Sequence, residues 1–210
     1  MKKCFALLCV LLLAAMTLTA CSGSYTTPKK TAQTFFAAVQ ALDVDAINAC
    51  GADGRLIEWE FAAKAADGDE ANTLSFLREL AAMISWRITD STTDGDTATV
   101  QAEVNYADAA MLVKSTMTDV MADMMMALFS DGDDADAQTQ FLAKLRENLK
   151  AEPPQTTMVS VTLPLVKTDD GWRVRELPDA LLTVMTGNTI EMLQEAAETF
   201  SGVAGAEVEQ

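Results

Sequence analysis

Two runs of alternating apolar and polar residues, each broken by an Asp-Gly turn, limit this chain more than any other feature of its sequence. In the first, Ile84, Trp86 and Ile88 alternate with Ser85, Arg87 and Thr89; after Asp94-Gly95-Asp96, Ala98, Val100, Ala102, Val104 and Tyr106 alternate with Thr97, Thr99, Gln101, Glu103 and Asn105. In the second, Val159, Val161, Leu163 and Leu165 alternate with Met158, Ser160 and Thr162, and Asp169-Asp170-Gly171 turns the chain into Trp172, Arg173, Val174 and Arg175. A period of two puts one residue set on each face of a strand, and Asp-Gly between such runs is the strongest short-range hairpin signal. Pro164 has no amide to donate, which predicts an edge position or a bulge. Four antiparallel strands with one apolar face need a cover.

Helical spacing supplies that cover. Pro28 suits a helix start, and Ala32, Phe35, Phe36, Val39 and Leu42 repeat on one face. Asp43 caps a second, short helix ending at Cys50, a weakly amphipathic segment carries Leu56, Ile57, Trp59, Phe61 and Ala63, and Leu74, Leu77, Leu80 and Ala81 line a further helix. Between the hairpins, residues 108–150 form a helical insertion divided at Ser130-Asp131-Gly132-Asp133-Asp134. Its first arm carries Val113, Met117, Val120, Met121, Met124 and Leu128, and its second Phe141, Leu142, Leu145 and Leu149. A C-terminal helix from Pro178 to Phe200 carries a kink or stop at Gly187-Asn188. The fold class is therefore α+β: N-terminal helices on a curved four-stranded antiparallel sheet, a helical hairpin inserted between the two β-hairpins, and a C-terminal helix.

The N-terminus reads as an address. Met1-Lys2-Lys3 is a short positive region, and Phe5 through Met16 is apolar but too short to span a bilayer as a stable helix. The following Leu18-Thr19-Ala20-Cys21 resembles the lipobox of bacterial lipoproteins. That resemblance implies removal of residues 1–20, acylation of Cys21 and anchoring at the cell membrane, facing outside the cytoplasm; two or more acyl chains give a stable hold where one is marginal. The expected organisation is a signal peptide at 1–20, a tether at 21–30, one domain at 31–202 and a disordered tail at 203–210. Lys29 and Lys30 are placed to meet anionic headgroups or to sit solvated in the first helical turn.

Composition excludes several functions. The 210 residues include no His, which removes imidazole-based triads, His-containing zinc sites and imidazole switches. The chain carries 31 Asp plus Glu against 15 Lys plus Arg, and loss of Lys2 and Lys3 with the signal leaves 13 basic residues and a net charge of −18. Duplex nucleic acid is thereby disfavoured as a partner. Of four Cys, Cys4 and Cys9 leave with the signal and Cys21 is acylated, so Cys50 is the remaining thiol; with no His to activate it, it is expected to be buried and structural.

The hairpins, read together with the helix from Pro28 to Asp45 and the lipobox, are similar to the uncharacterised bacterial lipoproteins of the nuclear-transport-factor-2-like, cystatin-like superfamily. The pieces that carry the resemblance are Gly95-Asp96-Thr97-Ala98-Thr99-Val100 and Asp170-Gly171-Trp172-Arg173-Val174. It implies a cone, a helix packed into a bent antiparallel sheet with a pocket often left at the wide end. Such folds host enzymes, transport factors and binding modules.

Three candidate sites follow. Six of the 12 Met lie between Met111 and Met126, a stripe that suits core packing, an apolar ligand or partner, or copper(I). Met125 and Met126 fall off the stripe and are expected at the surface; with Met121 they are the candidate ligand or partner contacts. Asp131, Asp133, Asp134 and Asp136 suggest calcium but fail the EF-hand pattern, with Ala135 and Leu142 at ligand positions, and suit a capped turn. Tyr106, near Asp108, is the fourth candidate contact and, in an isomerase-like alternative, a proton-handling group beside a carboxylate. No phosphate-binding loop, nucleophile elbow or cofactor motif occurs, and no cofactor or metal is expected. The reading is a non-catalytic module for a small apolar ligand, a peptide or an envelope partner. The alternatives are a His-independent isomerase, lyase or hydrolase, and an accessory subunit docking through its Met-rich helix.

Overall fold

The structure, a computed structural model, describes residues 25–58, 69–127, 137–190 and 192–194. In chain order its elements are α1 (Pro28–Ala41), α2 (Val44–Ala49), α3 (Asp69–Ala81), β1 (Ser85–Asp94), β2 (Thr97–Asp108), α4 (Ala110–Ala127), α5 (Ala137–Ala151), β3 (Gln155–Thr168), β4 (Gly171–Val174) and α6 (Asp179–Thr186). The four strands form one antiparallel sheet in the order β1-β2-β3-β4. The architecture is the α+β arrangement expected from the sequence, with the α4/α5 hairpin inserted between β2 and β3.

Local chemistry fixes the first helices. Thr27 accepts the Lys30 amide at 3.2 Å and Pro28 occupies the first turn, where its missing N–H costs nothing. Asp43 caps α2 by accepting the Ala46 amide at 3.0 Å. The alternation of β2 is realised directly: Ala98, Val100, Ala102, Val104 and Tyr106 are buried. They meet Leu165, Leu163, Val161, Val159 and Thr157 on β3 in an unbroken register from Thr97↔Val166 to Asp108↔Gln155. α1 packs across β1, β2 and β4, with Phe36 stacked on Trp86 at 5.6 Å between ring centres. α6 and α3 cover the other end of the same face. Fully burying one Phe or Leu in such a layer contributes about 1.5–3 kcal/mol, so the filled interior is where most of the stability resides.

Several expectations are corrected. Leu56 and Ile57 are not helical; residues 51–58 form a turn around Asn48, whose Oδ1 accepts the amides of Leu56 at 2.7 Å and Ile57 at 2.9 Å while its Nδ2 donates to the Ile57 carbonyl at 3.2 Å. Trp59, Phe61 and Ala63 lie outside the described residues. Pro164 is not in an edge strand, since β3 lies between β2 and β4. β4, however, pairs only with Leu165–Thr168, and the Pro164 carbonyl takes the Arg175 amide at 3.0 Å just past its end, so the missing N–H falls where the ladder stops. α6 ends at Gly187, whose φ of 59° forms a left-handed cap; the expected stop is thus a true helix end.

The tether assigned to 21–30 is shortened as well. Residues 28–30 belong to α1, and Tyr25 is docked on the body: its carbonyl accepts the Trp172 amide at 2.9 Å. Of that segment, residues 21–24 lie outside the described residues, as do the signal segment and the tail at 203–210.

Candidate functional site

The Met-rich helix α4 leaves the sheet at the end of β2. Asp108 closes that end: its Oδ1 accepts the Ala110 amide at 3.2 Å, and both carboxylate oxygens lie 3.4 Å from Asn188 Nδ2. α4 rests chiefly on α5, with Val113, Thr116 and Val120 buried and Met117 and Met124 half-buried. Asn148 of α5 donates to the hydroxyl of the buried Thr116 at 2.9 Å, and α5 is joined to α3 by Arg146 Nε donating to Glu79 Oε1 at 3.0 Å. One stripe of α4 therefore faces the body and the opposite one faces solvent.

That outer face carries the methionines. Met111 is 74% exposed, Met125 66% and Met126 71%, as the sequence led us to expect for Met125 and Met126. Met121, placed on the core stripe by its spacing, is instead 45% exposed; the contact with α5 uses the 113, 116, 120 row, and Met121 lies one residue past it. Leu128 and the acidic run Asp131, Asp133, Asp134 and Asp136 lie outside the described residues. Lys114, Asp119 and Asp123 are the charges interspersed along α4. Four thioethers on one exposed helix make a soft, adaptable apolar surface.

Tyr106, the fourth candidate contact, is buried. It is 6% exposed and sits in the core opposite Thr157, so it presents no surface to a ligand. Its phenol is held above the ordinary value, first by burial and then by the Asp108 charge. Asp108 caps α4 and meets Asn188. Among the described residues the buried polar side chains are Thr31, Thr116, Thr186 and Thr189, and no carboxylate is among them. Val100, Val161, Trp172 and Phe36 are buried against the sheet. Among the described residues, no cluster of three or more His, Cys, Asp or Glu side chains is arranged to hold a metal.

A second assembly, which the sequence did not reveal, closes the outer edge of β4. The Trp172 amide donates to Tyr25 O at 2.9 Å and its carbonyl accepts the Thr31 hydroxyl at 3.1 Å; the Val174 amide donates to Cys50 O and its carbonyl accepts the Ala52 amide, both at 2.9 Å. Cys50 is buried, with its Sγ 4.0 Å from the Tyr25 hydroxyl. The Arg173 guanidinium carbon lies 3.6 Å from the centre of the Tyr25 ring. Among the described residues Arg173 Nη1 is buried without a hydrogen-bond acceptor, and the Tyr25 ring face lies against the guanidinium, where a cation is favoured. Gly171 (φ 107°) allows the approach, since a Cβ there would run into the Tyr25 carbonyl oxygen. These contacts fix the chain at the position four residues after Cys21.

No protein-family model matches the chain, and no curated protein matches it. Among solved structures it is similar to the 2.62 Å crystal structure of a candidate lipoprotein, YcdA, from Bacillus subtilis subsp. subtilis str. 168, with a TM-score of 0.42 and 18% sequence identity. The match covers 58% of this chain and 38% of that one.

Proposed function

We propose that this protein is a lipid-anchored, extracytoplasmic binding module without catalytic chemistry, which engages an envelope partner through the methionines on the outer face of α4. The observation that carries the reading is the exposure of Met111, Met121, Met125 and Met126 along a helix whose opposite face is already packed. Isolated exposed apolar residues are ordinary, but Met121, Met125 and Met126 stand close together near the end of one helix, and such a grouping suits an interaction surface. The partner's chemistry is an apolar protein or peptide surface, with thioethers adapting to its shape.

Anchoring rests on Leu18-Thr19-Ala20-Cys21 and the signal-like stretch before it. Among the described residues no helix is long and apolar enough to cross a membrane. With Tyr25 docked beside Trp172, three residues separate the acylated Cys from the body, at most about 14 Å of chain from Cys21 to Tyr25. The β3–β4 turn then lies near the membrane. α4 begins at the other end of β2, a strand of 12 residues, which at about 3.4 Å per residue is roughly 37 Å away. Its first turn, with Met111, is thus offered away from the lipid surface. The NTF2-like cone belongs to the same proposal, supported by α1 lying across the sheet.

Site-specific photo-crosslinking in membranes tests the docking face. A crosslinker at position 125 is expected to give a discrete adduct that Met121→Glu removes, and one at Thr92, an exposed residue of β1, is expected to give none. Equal adduct patterns from the two positions, or none from position 125, would overturn it.

A further inference from the structure

The outer peptide groups of a sheet pair with any strand offered to them, and proteins ordinarily block them. Among the described residues this sheet has three stretches of edge that no further strand covers, and two are defended. The edge of β4 is occupied by Tyr25, Thr31, Cys50 and Ala52. β1 carries Arg87, Asp90 and Asp94, and its register shifts between Ile88 and Asp90, charge and irregularity being two of the usual defences.

The third stretch, Thr156 to Thr162 of β3, has neither. The Pro164 carbonyl points to the β4 side, toward Arg175, and strand alternation puts the peptide groups of Thr162, Ser160, Met158 and Thr156 on that same side, where β4 has already ended. All four residues are exposed, Met158 at 63%. The register with β2 is unbroken along this stretch, so no bulge turns it away. From Gln155 through Val166 no residue is charged, in a chain of net charge −16.

We propose that this edge is a homotypic interface, at which β3 pairs antiparallel with β3 of a second copy about a twofold axis near Val159. In that register Thr156 lies opposite Thr162 of the other copy and Met158 opposite Ser160, and the four outward-facing residues of each strand form about eight inter-chain N–H···O=C bonds. The occupant is set by charge. Two copies of so acidic a chain repel across most of their surfaces, and like charges directly opposite each other destabilise a strand pair; Thr156–Thr162 is a place where they meet with no charge opposed. The axis is perpendicular to the sheet, so both apolar faces stay on one side and the two sheets continue as one. This inference does not depend on the anchor or on α4.

Analytical ultracentrifugation of the full chain in detergent, over about 1–100 µM, tests it. The wild type is expected to form a dimer. Met158→Lys with Ser160→Lys sets Lys opposite Lys twice across the axis and is expected to raise the dimer dissociation constant at least about tenfold without lowering the melting temperature. Ser160→Pro removes one outward amide and is expected to weaken the dimer in the same way; if it fails to fold, the Lys variant still decides. A wild type that stays monomeric across the range, or a dimer indifferent to the Lys pair, overturns the proposal.

Discussion

The Trp172 amide donates to the Tyr25 carbonyl at 2.9 Å, so Tyr25, four positions after Cys21, is part of the sheet's edge. Beside it, Arg173 stacks on the Tyr25 ring at 3.6 Å. Tyr25→Ala removes the ring and is expected to cost about 1–2 kcal/mol, read by urea denaturation. Gly171→Ala should cost at least as much, because the new Cβ meets the Tyr25 carbonyl and the backbone there, at φ 107°, suits glycine. Unchanged midpoints for both would show that the strap contributes nothing.

Asn48 holds the 51–58 turn with three hydrogen bonds, two accepted and one donated. Asn48→Ala strands the Leu56 and Ile57 amides and is expected to destabilise by about 1–3 kcal/mol. Asn48→Asp keeps the acceptor and loses the donor, and should fall between wild type and Ala in the same titration.

Tyr106 makes stability depend on alkaline pH. Its folded pKa is raised above the ordinary value of about 10, so the folded state holds the phenolic proton more tightly than the unfolded state. The contribution is fully present below about pH 10. It is lost as pH climbs through the higher folded value, because the unfolded chain ionises first. Tyr106→Phe should flatten the loss of stability above about pH 10; an unchanged alkaline limb in that variant would contradict the assignment.

The α4 methionines separate binding from stability. Met125→Lys, on the exposed face, is expected to shift stability by no more than about 0.5 kcal/mol. Val113→Ala, at a fully buried position, should cost about 1–3 kcal/mol. Thermal melts that rank the two variants the other way would mean that the helix presents its opposite face.

Much of this was legible because it is local. The Asp94-Gly95-Asp96 turn and the alternation on either side determine the β1–β2 hairpin, and Pro28 and Asp43 mark the starts of α1 and α2. Met125 and Met126 were legible as surface residues because they fall off both apolar rows of α4. Met121 was misplaced because the rows 113, 117, 120, 124 and 117, 121, 124, 128 overlap, and which of them faces inward is settled by α5, far along the chain. The β4 strap was illegible for a plainer reason: its bonds to Tyr25, Cys50 and Ala52 run between backbone groups that every residue carries. Tyr106 was named as a candidate contact, and its burial depends on α3 and α6 covering that end of the sheet.

The central claim is that Cys21 ties this domain to a membrane, and mass spectrometry of the N-terminal peptide from membrane-extracted protein tests it most directly. The account predicts a peptide that begins at Cys21 and carries diacylglyceryl and acyl mass, and a Cys21→Ser protein that leaves the membrane fraction. A membrane-bound protein whose Cys21 is unmodified, or a Cys21→Ser variant that fractionates as the wild type does, would contradict it.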